Sequence, residues 1–496
     1  MRLHERRLRT LTAGVCMVAA VTCAKPADPG AHAGSVRVGV VAPPGGGPRG
    51  QVVGLGYLTG ALVGETLVSI DARGQFQPRL IERWERSEDG RTWRFHLKKG
   101  VTFHNGALLN TALVVPAVRS QLGPLGDAES VTEIDDTTFE VVQRRASAFL
   151  LDGLVNVGIN AGDSERSGTG PFLADASVAG RVRFRAFDAY HRGAPSIREV
   201  GLQQYADQRN AWAALMRSEI DVLYEVSPEA RDFVETESSV AVSAFIRPYT
   251  YLLGFNLRHE PFKDKRVRRA LNLAVDRNEI IRTALRGRGE AAYDHLWPRH
   301  WAVDASRAAY VADKQAAVRL LEAGGKNTLT SRETGGMPHR FTFHCLVYAP
   351  LEKLALAVQR ELASIDVEMT VELLSVSEMG RRIGSGQFEA FLFELANARI
   401  LGYTYSFWHS QSAASVRTGY SSADTALDQV RYARNDDEMR TAIRAVQDVM
   451  RDDPPAVFLA YPQVARAVSR RFDIPSGEED IFHTIARWKL AAKPSN

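Results

Sequence analysis

Cysteine is scarce in this 496-residue chain: Cys16, Cys23 and Cys345 are the three present. Cys16 and Cys23 fall in an N-terminal leader, so Cys345 stands alone in the folded part. One thiol cannot form an internal disulfide, and the fold must rest on its core. In "RFTFHCLV", Phe341, Phe343, Cys345 and Val347 alternate with polar residues, which makes Cys345 a buried strand thiol rather than a nucleophile. Catalytic and metal signatures are missing too. There is no H-E-x-x-H, no Cys-x-x-Cys, no Walker A motif and no G-x-S-x-G, and none of the twelve histidines pair at helical spacing. No metal and no cofactor are expected, and His409 alone does not establish a nickel-type site. An exported hydrolase is kept only as an alternative.

Excess charge is also lacking. The formal net charge is +4, but Arg2, Arg6, Arg7 and Arg9 against Glu5 account for three of those charges. The rest of the chain is close to neutral, which excludes the basic face a nucleic-acid binder needs. No segment reaches the roughly eighteen uninterrupted apolar residues of a membrane helix. Hydrophobic content of 45% and charged content of 24% are those of a folded protein.

What the N-terminus does contain is an export signal. "MRLHERRLR" leads into the apolar run "LTAGVCMVAAV", too short for a permanent span. Two processing routes stay open. "AVTC" ending at Cys23 resembles a bacterial lipobox, with Thr22 where a small residue is usual, and it makes Cys23 the lipidation candidate. "AHA" at Ala31–Ala33 is an A-x-A site for ordinary cleavage. The expected layout is a signal peptide over 1–23 and a flexible Ala/Pro/Gly-rich tether over 24–35. An exported protein of the periplasm or the outer face of the cytoplasmic membrane follows.

Beyond the tether, a chain of this length calls for more than one lobe. "TWRFHLK" alternates Trp93, Phe95 and Leu97 against Thr92, Arg94, His96 and Lys98, and turn dipeptides Asp89-Gly90 and Asn105-Gly106 flank this β-rich region. Further on, Leu351, Ala355, Val358 and Leu362 share a helical face before Val367, Met369, Val371 and Leu373 switch to period two, the mark of a βαβ unit. "DTALDQVRYARNDDEMRTAIRAVQDVMRDDPP" predicts two amphipathic helices halted by Pro454-Pro455. In "PFKDKRVRRALNLAVDR", Asp264 is an N-cap and Val267, Ala270, Leu271, Ala274 and Val275 form the apolar stripe. Asp276 caps a second helix that stops at Gly287. The arginines are expected to face solvent.

These blocks carry a resemblance. Residues 64–106, with "ETLV", "G-x-x-x-P-x-L" and "W-x-x-S-x-DG-x-T-W-x-F-x-L-x-x-GV-x-F-H-x-G", resemble the signature region of the family 5 extracellular solute-binding proteins, components of ABC importers. "GTGPF" at 168–172, "AWAALMRSEID" at 211–221 with Ser218 in place of the usual glycine, the Pro261–Arg277 stretch, "YSSADTALDQV" and "DDPPAVFLAY" follow in order. The resemblance implies an α/β, two-lobed type II binding-protein fold with an added β-rich subdomain. It places lobe I at 36–63, 170–255 and 465–496, the subdomain at 64–169 and lobe II at 256–464. It implies capture of a peptide-like or other small polar solute and delivery to permease subunits of an ABC importer. A sensor or chaperone role is the alternative, and a monomer is the expected state.

Departures from the family pattern bear on the ligand. Peptide-binding members usually carry an acidic residue in the lobe II loop that reaches the ligand's ammonium group. Here that loop reads "LANARILGYTYSFWHSQ", residues 395–411, without a carboxylate. Arg399, Tyr403, Tyr405, Trp408 and His409 are the candidate ligand residues, beside Phe407, with about half of the aromatics expected in the core. Aromatic faces and one cation suit a planar, sugar-like or anionic group better than a free α-amine. "LVV" at 113–115 replaces a usually acidic sequence.

Overall fold

The computed structural model describes residues 34–41, 55–122, 127–161, 167–175, 180–307, 310–326, 329, 338–396, 398–413, 415–475, 477 and 480–492. The leader, most of the tether and the lipidation candidate Cys23 lie outside the described residues. Two half-sheets dominate the architecture, each built from the apolar runs of the sequence. In the first, Val36, Val38 and Val40 are fully buried on the strand Ser35–Val41, which pairs in parallel with Glu199–Tyr205 and Val222–Leu223. Arg181–Ala186 and Phe172–Ala174 extend it antiparallel toward one edge. Before Val222, Ser218 has φ 56°, the left-handed region a glycine adopts without strain, so the family's glycine there has a backbone reason.

The second half-sheet contains the βαβ unit. Strand Phe341–Tyr348 pairs in parallel with Val367–Leu374 and with Ala390–Leu395, and helix Glu352–Ala363 buries Ala355, Val358 and Leu362 beneath them. Cys345 is fully buried in the first of these strands, and burial pushes its thiol well above the ordinary range. A single 14-residue strand, Ala456–Ser469, joins the halves. One end pairs with Thr250–Phe255 and Gly289–Ala291, the other with Val240–Ile246 and Val222–Leu223, giving one twelve-stranded sheet. Thr250–Phe255 also pairs with Ala390–Leu395. This apolar run is buried on both faces and needs a ladder on each edge, which only the second half-sheet offers. The chain therefore enters the second half-sheet at Thr250–Phe255.

The Pro261–Arg277 stretch folds as two capped helices. Asp264 accepts from the Arg266 amide at 2.8 Å, and Asp276 from the amides of Asn278 and Glu279. The expected stripe is buried, but two arginines are buried with it: Arg268 is 2% and Arg277 3% exposed. Arg268 donates to the Pro454 carbonyl at 2.9 Å and pairs with Asp453. Arg277 donates to the carbonyls of Ala292 and Phe458, each at 2.8 Å, and burial pulls its guanidinium down to about 10. The solvent-facing expectation fails for these two because the helix is packed on several sides, and the chain returns from Pro454 and Phe458 to cover them alongside nearer carbonyls such as Phe262 and Asn272.

Inserted in sequence between the first strand and the later strands of the first half-sheet lies the β-rich subdomain, a four-stranded antiparallel sheet ordered Ile81–Arg86, Thr92–Leu97, Thr138–Gln143, Ala128–Asp135. Its core includes Trp93, Phe95 and Phe139, with the two phenylalanines stacked at 5.0 Å. Val114 and Val115 of "LVV" are fully buried there, on helix Thr111–Leu122, so the apolar replacement fills core. Glu65 fastens the subdomain to the first lobe. Its carboxylate accepts from Tyr190 Oη at 3.1 Å and Thr169 Oγ1 at 3.2 Å, and lies 2.7 Å from His191 Nε2 and 3.4 Å from Arg79 Nε. Burial alone would raise this carboxyl, but His191, Arg79 and Tyr190 together hold it below its ordinary value. That network gives the "ETL" and "GTGPF" blocks a shared structural purpose.

Candidate ligand-binding site

"LGYTYSFW" is helical rather than a loop: Leu401–Trp408 forms a helix because Leu401, Thr404 and Trp408 share a buried face. Trp408 is 1% exposed, donates from Nε1 to His295 Nδ1 at 3.3 Å and packs edge-on to Tyr420 and Phe458. It belongs to the second lobe's core and presents no surface to a solute. His409 is buried as well, its ring stacked on Tyr405 at 4.4 Å and its Nε2 3.4 Å from Asp428 Oδ1. The Tyr405 hydroxyl donates to the same Asp428 oxygen at 3.3 Å and accepts from Arg431 Nη1 at 3.0 Å. Arg431 also grips Asp127 of the subdomain through two contacts of 2.6 and 2.7 Å. Tyr405 and His409 are thus brought together in a polar cluster that ties the second lobe to the subdomain.

Arg399 and Tyr403 sit elsewhere. Arg399 donates to the Asp71 carbonyl at 3.3 Å, and Tyr403 runs parallel to Phe407 at 6.4 Å. Their surroundings are revealed by Tyr57, on helix Leu55–Val63 of the first lobe. Tyr57 keeps 39% exposure, yet crowding by protein pushes its phenol up to about 12. Asp480 adds to the rise, while Arg466, Arg399 and Arg79 pull it back. Those charges come from the first lobe, the second lobe and the subdomain, while the contact Tyr57 makes directly is with His483, whose Nε2 lies 3.1 Å from its hydroxyl. A side chain both accessible and crowded is what a cleft wall produces. Tyr249, in the segment crossing between lobes, is raised first by burial and feels Tyr57 and Tyr403. Tyr57 feels Arg399, and Tyr249 feels both Tyr57 and Tyr403, which makes these four the candidates for an interlobe ligand surface of aromatic faces and one cation.

The crossing itself is firmly held. Arg247 donates its amide to the Pro462 carbonyl at 2.9 Å and pairs with Glu394 at the end of Ala390–Leu395. Burial raises the Glu394 carboxyl against the pull of Arg247, and Glu225 nearby adds to the rise. The Ala398 amide donates to the Pro248 carbonyl at 2.8 Å, so the segment carrying Arg399 is anchored on the crossing. In the first lobe, Arg466 and Tyr224 share the Asp480 carboxylate, with the guanidinium 3.7 Å from the Tyr224 ring centre.

A second hollow of about 290 Å³ lies between the subdomain and the second lobe. Trp84, Trp93 and Phe149 form one wall, and Trp301, Leu401 and Met439 the other. The subdomain's tip docks beside it: Trp297 Nε1 donates to the Ala72 carbonyl at 2.8 Å and the Trp301 amide to Arg73 at 2.9 Å. Asp152, half-buried on helix Leu150–Leu154, reaches across and accepts from the Gly402 amide at 2.7 Å. Ile400 gives helix Leu401–Trp408 no side-chain cap, so this carboxylate from another module caps it. A Cβ at 402 would stand 2.6 Å from Asp152 Oδ2, so any larger residue there displaces the carboxylate from the helix terminus. Desolvation pushes the Asp152 carboxyl up to about 7, against the pull of the Gly402 amide.

Sequence reading missed Tyr57, Tyr249 and Asp152. Asp152 did leave a signal: a lone carboxylate in the apolar run "AFLLDGLVNVGI". The tyrosines left none, since their meeting depends on how the lobes fold together. Among the described residues no group of three His, Cys, Asp or Glu could hold a metal ion, and no helix is long and apolar enough to cross a membrane.

Two half-sheets joined by a crossing strand, with a β-rich subdomain alongside, fit the two-lobed type II architecture of solute-binding proteins. Residues 75–415 match the bacterial extracellular solute-binding proteins, family 5 (middle), and the chain belongs to that family. It is a binding protein rather than an enzyme. It is 25% identical over 454 residues to the dipeptide-binding protein of Escherichia coli K12, covering 79% of this chain and 82% of that one. It is 26% identical over 298 residues to heme-binding protein A of Haemophilus influenzae, 51% of this chain and 54% of that one. The fold is similar to that of the oligopeptide-binding protein AppA of Bacillus subtilis in complex with a nonapeptide, with TM-score 0.75, 19% identity and coverage of 93% of this chain and 99% of that one.

Proposed function

We propose that the protein captures a peptide-like or similarly small polar solute in the cleft between its lobes. The closed, liganded form then delivers that solute to the permease subunits of an ABC importer. The observation that carries the reading is the family match over residues 75–415, and Tyr57, Tyr249, Tyr403 and Arg399 are the residues we assign to the solute. Solute touching both lobes favours the closed arrangement because those contacts exist only there. Relatives named for dipeptide and heme binding support a small-solute cargo. Phenol faces and a guanidinium favour a planar or anionic group at this point in the cleft, rather than a free α-amine. The polar leader and the lipobox-like "AVTC" support export, with anchoring through Cys23 as the finer proposal.

Native mass spectrometry of the purified protein tests this reading. A co-purified solute, retained in the native spectrum and lost on denaturation, is expected. A solute whose free amino terminus contacts the 395–411 segment overturns the ligand preference, and a solute bound away from the interlobe cleft overturns the site.

A further inference from the structure

Helix Pro228–Glu235 of the first lobe carries Glu229, Asp232 and Glu235, a carboxylate at every third position and so along one side. All three meet cations supplied by the second lobe, from two separate places. The inner place is the turn 286–288, just before strand Gly289–Ala291, which ladders onto the joining strand Ala456–Ser469. Arg286 has φ 54° and Gly287 φ 75°, two successive left-handed residues, a conformation costly for an arginine. The turn brings both arginines to one carboxylate: Arg286 Nη1 lies 3.5 Å from Asp232 Oδ2, and Arg288 pairs with Oδ1. Arg288 also donates to the Pro228 carbonyl at 2.7 Å and lies 3.8 Å from Glu235, and its side chain is only 13% exposed. The outer place is Lys353, which pairs with Glu229. Lys353 opens helix Glu352–Ala363, which follows strand Phe341–Tyr348, the third strand from the joining one. Three strand spacings put that strand roughly 14 Å out. Both partners of this pair are open to water, with Lys353 69% and Glu229 48% exposed. The Lys353 ammonium holds the Glu229 carboxyl below its ordinary value, so both stay charged at neutral pH.

We propose that Glu229 and Lys353 form a salt-sensitive latch between the lobes, with Arg286 and Arg288 on Asp232 as its fixed end. The inference rests on the reading of interlobe capture and deepens it, by naming a contact that favours the closed arrangement. The fixed end sits beside the joining strand and is sheltered from water, so parting of the lobes moves it least and ions screen it least. Lys353 rides on the outer part of the second lobe, where the same motion is larger. Its exposed pair is weak enough to break and re-form in every cycle. Such a pair shifts the closed-to-open ratio only a few-fold, which leaves capture and release under the control of the solute.

Small-angle X-ray scattering of the whole protein, fitted as a mixture of closed and open shapes, tests it. Lys353→Glu and Glu229→Lys are each expected to lower the closed-to-open ratio about two- to fivefold at low salt. The doubly swapped protein, with both substitutions, should recover the wild-type ratio. Raising sodium chloride from about 20 to about 500 mM should open the wild type and leave Lys353→Glu little changed. Arg217→Glu, whose pair with Glu219 lies within the first lobe, controls for net charge and should scatter as wild type. Lys353→Gln serves if circular dichroism shows the charge-reversed variant unfolded. Folded single variants that scatter as wild type, a double swap as open as the singles, or a wild type indifferent to salt overturns the proposal. Its failure is separable from that of the capture reading. A co-purified solute between the lobes with no response to charge reversal sinks only the latch, and charge-dependent opening with no solute between the lobes sinks only the other.

Discussion

Glu65 and Asp152 stand at opposite docking surfaces of the same subdomain, and the protein treats them in opposite ways. Glu65, facing the first lobe, has four partners and is held below the ordinary carboxylate range. Asp152, facing the second lobe, has one backbone amide and is pushed up to about 7. Removal from bulk water is common to both, so the number and charge of the partners decide which stays ionised at neutral pH. The subdomain is therefore fastened to one lobe by a charged network and held on the other by a single capping contact. That asymmetry suits a fold in which one lobe must part from the other to release its cargo.

The largest test of this contrast is Glu65→Ala. It leaves His191, Tyr190 and Arg79 without their shared partner, and a loss of about 3–5 kcal/mol is expected from urea unfolding. An equally mild effect at both carboxylates would break the comparison. Gly402→Ala forces a Cβ against Asp152, and a loss of about 1–3 kcal/mol is expected, with faster amide exchange in 400–408 than elsewhere in the second lobe.

Titration separates the two sites by sign. The Asp152 carboxyl is raised, so between the ordinary value near 3.8 and about 7 the folded state holds a proton that the unfolded state has lost. Its contribution to stability falls as pH rises through that window, by up to about 1.4 kcal/mol per pH unit. Asp152→Asn should remove this slope, read as the difference between variant and wild-type unfolding energies from pH 4 to 8. Glu65 is lowered, so its contribution is full above the unfolded carboxylate value and fades as pH falls through the folded one. Glu65→Gln should give a difference curve of opposite slope at acid pH. Parallel curves for the two variants would refute the assignment. The smallest effect belongs to Arg269→Ala, which removes an exposed pair with Asp452 at 3.4 Å and should cost under about 1 kcal/mol in thermal melting.

Much of the fold was legible because local chemistry decided it. Asp264 and Asp276 announced their helices, Trp93, Phe95 and Leu97 their buried strand face, and the period switch near residue 365 its parallel unit. Burial of Arg268 and Arg277 was not legible, since the carbonyls that receive them, Pro454 and Phe458, lie more than 180 residues away. Of the candidate site, Trp408 and His409 are buried, Trp408 on the core face of a helix where a ligand loop was expected. Its spacing from Leu401 and Thr404 was visible, but the aromatic run drew attention from periodicity to chemistry.

The strand Ala456–Ser469 has a mechanical consequence. Its ladder is pinned to Thr250–Phe255 at one end and to Val240–Ile246 at the other, so neither half can slide along it. Residues 460–464 are laddered to Tyr251, Gly289–Ala291, Phe245 and Ile246, and the Arg247 amide ties 246–250 to the same stretch. Pro462 and Pro248 sit in those short spans with their φ angles fixed by the ring. The connection is therefore a continuous splice between the halves, stiff against sliding because each register is fixed by its own ladder.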